Sequence, residues 1–393
     1  MAKKSVEIND PKSEDAAAVV AKKQPASLSN APTFRVITGS YEHNLLCVSL
    51  ALVRGSEVFN PIFHFTPHSQ SIRCLASTKR YLVSGSNDEH IRIYDLQKRK
   101  ELGTLLHHSG SITCLSFFAS KWLLSGAGDG KLCLWRVKDW EVLSEMKGHK
   151  GEINDVSIHP TGKIALSVGN DKTIRLWNMM TGKKASVLKV RQEPLKIQWT
   201  PEGTHFVVAF DRSLAIYSAE SSDVVQEETF KSPLHHMEIL KLGSEDDDVY
   251  VARSHSDGKI VFSKLSALSE GDTEQTFELV GHASRVKQFN LFYHQQTENY
   301  YLASVSSDGK LVVWDMALRD QVAVYNTGDR LNCCLCVPEE VEKTETMKKR
   351  AHPGDENMSE PDDTDYSESE AEVLPKKKKN KKNKKSKVSV ELE

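Results

Sequence analysis

Serine, histidine and aspartate residues recur through this chain at spacings that could bring them side by side. Ser167, Asp171 and Trp177 stand four and then six residues apart, and His149 lies upstream, four residues before Ile153. Serine, histidine and aspartate together are the residues of nucleophilic catalysis, in which histidine takes the serine proton and aspartate orients the histidine. These residues are therefore the first candidates for a catalytic site.

The recurrence of this pattern argues against catalysis. The spacing appears in four places, and a catalytic constellation would appear once. The four sets are His68, Ser84, Asp88 and Tyr94; His108, Ser125, Asp129 and Trp135; His149, Ser167, Asp171 and Trp177; and His282, Ser304, Asp308 and Trp314. Two weaker copies keep only the aspartate, as Asp211 with Tyr217 and Asp257 with Ser263. We interpret the four sets as structural.

Other motifs that could carry chemistry are weak. Gly126-Ala-Gly-Asp-Gly-Lys131 has the glycines of a phosphate-binding loop, but no serine or threonine follows the lysine and no helical pattern comes next. Asp-Gly is instead a favoured hairpin turn. Cys333 and Cys336 form a C-x-x-C pair with no second pair to complete a metal site. The sequence predicts no cofactor, no metal and no enzymatic activity.

Short strands surround each of these sets. Around His149 the runs Val156–Ile158, Ile164–Val168 and Ile174–Trp177 are rich in β-branched residues and are bounded by Gly, Asn, Asp or Pro. That pattern predicts antiparallel strands joined by tight turns. The aromatic positions from 94 to 217 are 41, 42 and 40 residues apart. Such a period is typical of the four-stranded blades of a β-propeller, and a β-sandwich does not explain it.

The repeat predicts an all-β fold of seven blades. Six complete blades are expected at residues 71–106, 111–146, 152–189, 194–229, 234–280 and 285–326. The first blade has only three strands before the first histidine, at residues 34–37, 45–50 and 62–65. The segment Arg330–Leu335 repeats the pattern of Ser71–Leu75, so we predict that a C-terminal strand completes the N-terminal blade. Closure of this kind removes open sheet edges.

Residues 34 to 337 resemble the WD-repeat family, in which Gly-His and Trp-Asp pairs mark each blade. Longer strings narrow the resemblance: Ser40–Leu46, Ser84–Asp95, Thr346–Arg350 and Ser386–Glu393 are similar to the fungal maintenance-of-killer propellers and the animal p21-activated-kinase-interacting proteins. The family resemblance implies that the histidine, serine, aspartate and aromatic residue of each blade form one hydrogen-bonded network. Their donors and acceptors are compatible with that role.

The resemblance also implies a function, with an alternative. Its fungal members imply a nuclear and nucleolar scaffold for assembly of the large (60S) ribosomal subunit, with assembly proteins and precursor particles as partners. Its animal members add binding and inhibition of a p21-activated kinase, which would make the chain a signalling adaptor. The residues alone indicate an interaction scaffold and leave this choice open. We expect a monomer that acts within larger assemblies.

The ends of the chain differ sharply in charge, although the formal net charge is only −2. We divide the chain into a disordered segment at 1–32, the propeller at 33–338, an acidic segment at 339–375 and a basic tail at 376–393. Residues 339–372 hold 13 acidic residues against four basic ones, and nine lysines follow without any acid. These lysines, predicted to direct the chain to the nucleus and nucleolus, are Lys376, Lys377, Lys378, Lys379, Lys381, Lys382, Lys384, Lys385 and Lys387. Lysines in such a block supply positive charge and do not read the bases, so any RNA contact there would be non-specific.

One end of the propeller is the candidate partner-binding face. Loops that enter the first strand of each blade lie at the same end as the aspartate turns, and loops on a rigid scaffold often carry recognition. The charged residues predicted there are Lys150, Glu152, Lys172, Arg285 and Arg330. No apolar run approaches the roughly 18 residues of a membrane span, and the cysteines mostly lie inside strand patterns. We therefore expect a soluble intracellular protein without membrane contact.

Overall fold

The computed structural model describes residues 31–53, 56–243, 249–266 and 276–341. These residues form seven four-stranded antiparallel sheets and a short 3-10 helix, Glu339–Val341. The predicted all-β, seven-bladed propeller is confirmed. The predictions for residues 1–30, for most of the acidic segment and for the lysine tail fall outside the described residues.

The first blade joins the two ends of the propeller. It contains β1 (Thr33–Ser40), β2 (Leu45–Val53), β3 (Ser56–Phe65) and β28 (Leu331–Pro338), and its order is β28-β1-β2-β3. The last strand pairs antiparallel with the first, with Ile37 opposite Leu335. The predicted closure by a C-terminal strand is thus confirmed, and β28 is the innermost strand of the blade.

The six other blades follow chain order from the innermost strand outward. Their strands are β4 (Ile72–Ser77), β5 (Tyr81–Ser86), β6 (Ile91–Asp95) and β7 (Lys100–Leu105); β8 (Ile112–Phe118), β9 (Trp122–Ala127), β10 (Lys131–Arg136) and β11 (Glu141–Lys147); β12 (Ile153–Ile158), β13 (Ile164–Gly169), β14 (Thr173–Asn178) and β15 (Lys183–Lys189); β16 (Pro194–Trp199), β17 (His205–Phe210), β18 (Ser213–Ser218) and β19 (Val224–Thr229); β20 (Leu234–Lys241), β21 (Val249–His255), β22 (Lys259–Lys264) and β23 (Thr276–Val280); and β24 (Val286–His294), β25 (Asn299–Ser306), β26 (Lys310–Asp315) and β27 (Asp320–Asn326). The predicted blade limits agree to within one residue.

One predicted strand was too short. The sequence predicted an outer strand at residues 62–65, but β3 begins at Ser56. Pro61, which cannot donate a backbone hydrogen bond, looks like a strand breaker in the sequence. It is tolerated because β3 is the outermost strand of its sheet and because a bulge lies opposite, between Cys47 and Val48.

The hydrophobic core lies between blades. Cys114 and Leu124 of the third blade pack with Ile153 and Trp177 of the fourth in one buried cluster. Similar clusters join the first blade to the second and the seventh to the first. Each blade therefore buries its apolar side chains only when both neighbours are present, so its stability depends on ring closure.

The innermost strands surround a polar central channel. Asp155, Lys196, Glu238 and Gln288 line it, and Lys196 Nζ lies 3.3 Å from Asp155 Oδ1. Burial raises the pKa of the Glu238 carboxyl to about 8. In the described part of the chain, no helix has the length and apolarity that crossing a membrane requires.

Candidate interaction surface

The fourth blade contains a continuous chain of hydrogen bonds. Trp177 Nε1 donates to Ser167 Oγ at 2.8 Å, and Ser167 Oγ lies 2.7 Å from His149 Nε2. His149 Nδ1 lies 3.0 Å from Asp171 Oδ1. Because the carboxylate can only accept, this order places the histidine proton on Nδ1, and the serine hydroxyl donates to Nε2. All four side chains are thereby satisfied inside one blade.

The structure brings the corresponding residues together in three more blades. The histidine Nε2 to serine Oγ distance is 2.8 Å in each: His68–Ser84, His108–Ser125 and His282–Ser304. The histidine Nδ1 to carboxylate distances are 2.9 Å at Asp88, 3.3 Å at Asp129 and 3.5 Å at Asp308. Trp135 and Trp314 donate to their serines at 2.8 Å, and Tyr94 lies 3.3 Å from Ser84.

These serines are not placed for catalysis. Ser84, Ser125, Ser167 and Ser304 are all fully buried, so a substrate could not reach their hydroxyl groups. Each serine oxygen is also engaged in a second hydrogen bond, with the tryptophan indole or the tyrosine hydroxyl. The networks therefore act on the blade itself.

The aspartates also hold the loops of one propeller face. Asp171 Oδ1 accepts from the backbone N–H of Thr173 within its own turn, at 3.2 Å, and Oδ2 accepts from that of Lys150 at 3.0 Å. The backbone N–H groups of Ser69, Ser109 and Ala283 donate to their aspartates in the same way, each at 3.1 Å. Each carboxylate thus fixes an entry loop against a turn, which makes the loop surface rigid.

Stability should fall as the pH is lowered below about 6.5. Burial holds the pKa of each network histidine below its ordinary value of 6.5, although the aspartate partner acts in the opposite direction. Unfolded histidines then bind protons while the folded ones stay neutral, so the free energy of unfolding drops, by at most about 1.4 kcal/mol per pH unit for each histidine.

Burial would raise the pKa of Asp171, but hydrogen bonds from Thr173, Lys150 and His149 outweigh burial and lower that pKa. The free energy of unfolding therefore continues to fall in more acidic solution, where Asp171 is protonated in the unfolded chain before it is protonated in the folded one. Denaturant unfolding at several pH values measures the effect. A His149→Gln variant should show a shallower pH dependence. An unfolding free energy that stays flat or rises from neutral to mildly acid pH would contradict the neutral-histidine assignment.

The sixth blade replaces the network with a different one. At the serine position stands Arg253, and at the aromatic position stands Ser263; Arg253 Nη1 donates to Ser263 Oγ at 2.8 Å. Phe230 takes the place of the histidine and lies under the guanidinium, 4.5 Å from ring centroid to Cζ. Glu228 completes the ion pair at 3.0 Å. The sequence pattern shows only a degraded copy here, because the pairing of Arg253 with Ser263 depends on the register of two neighbouring strands.

The fifth blade has no such polar set. Asp211 is exposed and lies 3.5 Å from Arg212, and Tyr217 stacks on Phe206 with ring centroids 5.1 Å apart. Its interior is apolar at the histidine and serine positions, which Val190 and Val207 occupy.

All five residues predicted for the partner-binding face lie in loops at one end of the propeller. Lys150, Lys172, Arg285 and Arg330 are exposed to solvent. Glu152 is half-buried and accepts from Arg73 Nη1 at 2.8 Å. The structure therefore gathers the predicted cations on one surface, while the predicted acidic residue is engaged in an ion pair.

Two cations and a histidine at the channel mouth were not among the residues that the sequence predicts for a site. Arg73, His235 and Lys287 occupy the second position of their inner strands and line a cavity of about 450 Å³. Burial lowers the pKa of Lys287, and the positive charges of Arg285 and Arg73 lower it further. In the sequence, these residues share only their place as the second residue of an inner strand. The closed ring is needed to show that they line one cavity.

The motifs that sequence analysis set aside are structural in the described chain. Gly126 to Lys131 spans the end of β9, a hairpin turn and the start of β10, with Gly130 at φ +73. Burial raises the pKa of the Cys333 thiol to about 12. The Sγ of Cys333 faces Gly39 O, whereas the Sγ of Cys336 faces Asn290 O. Within the described residues, no three His, Cys, Asp or Glu side chains are grouped to hold a metal ion.

Comparison with known proteins identifies relatives of this chain. A family model described as WD domain, G-beta repeat matches residues 59–95, 99–136 and 140–178. Protein MAK11 of Saccharomyces cerevisiae is 43% identical over 92% of this chain and 98% of its own length. A p21-activated protein kinase-interacting protein 1-like protein of Gallus gallus is 32% identical over 76% of this chain and 80% of its own. Shk1 kinase-binding protein 15 of Schizosaccharomyces pombe is 27% identical over 86% and 95%.

Proposed function

This chain belongs to the WD-repeat family that includes Protein MAK11 of yeast and the p21-activated protein kinase-interacting proteins of vertebrates, and on that basis we propose that it is a non-enzymatic scaffold for assembly of the large ribosomal subunit. The observation that carries the proposal is the presence in one chain of a rigid, cation-rich loop face and a block of nine lysines. The assignment to the large subunit rests on the resemblance of the strings at 40–46 and 84–95 to the fungal members.

The loop face provides the specific docking in this proposal. The aspartate clamps fix the backbone of its entry loops, so few loop conformations are lost when a partner binds. Arg285 and Arg330 present exposed guanidinium groups, which suit carboxylate or phosphate groups on a partner. Precursor particles offer both, as acidic protein segments and as RNA. The scaffold would hold assembly proteins in place by these contacts and perform no chemistry.

In this proposal the lysine tail directs the chain to the nucleus and nucleolus. Nine lysines without an acidic neighbour form a nuclear-type address and attract RNA phosphates without choosing a sequence. We therefore propose a nuclear and nucleolar protein whose tail concentrates it near RNA while the propeller selects the site. Deletion of residues 376–387 should deplete the nucleolar pool, and an unrelated nuclear signal should largely restore function.

Charge reversal on the loop face tests this division. A Lys150→Glu, Arg285→Glu, Arg330→Glu variant should lose a large part of its co-migration with large-subunit precursors in a sucrose gradient, while its nucleolar localisation persists. The cause is repulsion between the new carboxylates and the anionic groups of the partner. The measurement is the share of tagged chain in precursor fractions, relative to the free pool at the top of the gradient.

A matched control uses the opposite end of the propeller. Lys98, Lys121 and Lys163 are exposed in turns at that end, so reversing these three to glutamate changes the net charge equally. The control variant should sediment like the unmodified chain. If the face variant also sediments normally, the docking surface is not this face, and the proposal that these cations carry docking is wrong.

A second candidate function is supported by the names of the relatives. The vertebrate proteins are named for interaction with a p21-activated kinase, and the fission yeast relative for binding Shk1 kinase. The same rigid face would then hold a kinase in place of a precursor particle. The scaffold function predicts that the chain co-purifies with large-subunit precursors, and the second candidate predicts that it co-purifies with a kinase. Co-purification therefore decides between the two functions.

A further inference from the structure

Four cations meet at one corner of the fourth blade. Lys150 and Lys172 flank Asp171, whose carboxylate accepts from the Lys150 backbone N–H. The carbonyl of Lys172 accepts from the backbone N–H of Val190 at 3.0 Å, so the chain just after β15 lies against this turn. Because Val190 sits between Lys189 and Arg191, the backbone of all four cationic residues lies around this turn. We name Lys150, Lys172, Lys189 and Arg191 the blade-four corner.

These four side chains are exposed, and no described carboxylate lies within ion-pair distance of them. Several cations on other blades have acidic partners: Lys131 and Lys147 share Glu145, and Lys259 pairs with Glu278 at 2.9 Å. In register with Glu145 and Glu278, the fourth blade carries Val187, which is 40% exposed, just as the second and seventh blades carry Thr104 and Val324. The corner therefore keeps its positive charge because the acidic position is absent.

The outer strand extends the corner along the rim. β15 carries Lys183, Lys184 and Lys189 and no acid, whereas each of the six other outer strands in the described chain contains at least one acidic residue. From Lys183 to Lys189 the strand spans roughly 20 Å at about 3.3 Å per residue. A strip of uncompensated cations thus runs down one edge of the propeller.

Protection of a sheet edge explains only part of this strip. Lysines on an outer strand discourage pairing with another chain. That role does not require Lys150, Lys172 and Arg191, which lie in loops. The strip therefore has a charge pattern that edge protection does not account for.

We propose that the blade-four corner and the outer face of β15 bind the phosphate backbone of RNA. Spaced lysines on an extended edge suit a polyanion with charges at regular intervals, and β15 has no aromatic side chain for stacking on bases, so binding would be independent of sequence. The groove between the fourth and fifth blades has Lys189 and Arg191 near one side and Glu227 on the other, which confines the anion to the blade-four side. RNA as the polyanion rests on the proposed function, since precursor particles supply it.

Binding of a short RNA hairpin to the purified full chain tests this inference. The corner variant carries Lys150→Gln, Lys172→Gln, Lys189→Gln and Arg191→Gln. The control variant carries Lys131→Gln, Arg136→Gln, Lys147→Gln and Lys259→Gln, an equal loss of charge from cations that have acidic partners. Both variants keep the lysine tail, and thermal melts establish that both remain folded.

The dissociation constant is measured at several salt concentrations. The slope of its logarithm against the logarithm of salt concentration should fall by about 3 for the corner variant, because each lost phosphate contact removes roughly 0.7–0.9. The control variant should retain the slope. Equal slopes in all three proteins would overturn the inference, as would loss of binding to a polyglutamate peptide with RNA binding unchanged. RNA binding by the corner is measured on purified protein, and the scaffold function is measured by sedimentation with precursors. Because the two measurements are independent, failure of the RNA proposal can be distinguished from failure of the proposed function.

Discussion

A chain that ends at residue 329 is expected to lose the propeller fold. That truncation removes β28, which pairs with β1 along Phe34 to Ser40 and closes the ring. Leu331 and Cys334 pack in the cluster that joins the first and seventh blades, and Cys333 packs in the cluster that joins the first and second. Burial of Leu331 and Val337 alone contributes roughly 3–6 kcal/mol, against a typical total stability of about 5–15 kcal/mol.

The truncated chain should also aggregate, because loss of β28 exposes the inner edge of β1. A chain that ends at residue 345 is the control: it retains β28 and Glu339, whose carboxylate accepts from Arg35 Nη2 at 2.8 Å and from Ser49 Oγ at 2.9 Å. Solubility, size-exclusion elution and thermal melting compare the two chains. A soluble, monomeric, cooperatively melting 1–329 fragment would contradict the closure.

The substitution Asp171→Ala is also expected to lower the free energy of unfolding strongly. The Asp171 carboxylate accepts from Thr173 Oγ1 at 2.7 Å, His149 Nδ1 at 3.0 Å and the Lys150 backbone N–H at 3.0 Å, and Arg175 Nη2 lies 3.3 Å away. Removal leaves buried donors without an acceptor, at a cost on the order of 1–3 kcal/mol. The free energy of unfolding, measured by denaturant titration, should fall by this amount.

Asp257→Ala is the matched control for this substitution. Asp257 occupies the same turn position in the sixth blade, but it is exposed, and it accepts from the backbone N–H of Lys259 at 3.2 Å. Its loss should therefore cost much less. If the two variants melt with equal losses, the hydrogen-bonded network is not the source of stability in the blades.

The network also explains why the loop face is suited to recognition. Asp171 fixes the backbone at Lys150, and Asp308 fixes the loop that leads to Arg285. Buried side chains inside each blade thus determine where the exposed cations of the face stand. An Asp171→Ala variant should disturb the blade-four corner as well as stability, so variants for binding studies are better chosen among exposed residues.

Much of the fold could be predicted because the repeat is local in sequence. The spacing of Ser167, Asp171 and Trp177 reflects one hairpin, and repetition of that hairpin sets the blade limits. Closure was also predictable, because Arg330–Leu335 repeats an inner-strand pattern that the first blade lacks. The start of β3 was not, because Pro61 cannot donate a backbone hydrogen bond and so looks like the end of a strand, although an outermost strand tolerates it.

The surface was much harder to predict than the fold. Arg253 and Ser263 form their pair only when two strands are in register, so the sequence shows a missing network where the structure has a substitute. Arg73, Lys287 and His235 are far apart in the chain and converge only because the ring closes. The charge of the blade-four corner depends on the absence of an acid at Val187, which is recognisable only by comparison with the same position in other blades.

Sedimentation of the unmodified chain tests the central claim most directly. Tagged chain from a cell extract is run through a sucrose gradient, and the fractions are probed for the chain, for large-subunit precursor RNA and for p21-activated kinase. The proposed scaffold function predicts that most of the chain co-migrates with the precursors and shifts to the top of the gradient when the RNA is digested. A chain found in a free pool together with the kinase, with none in precursor fractions, would contradict it.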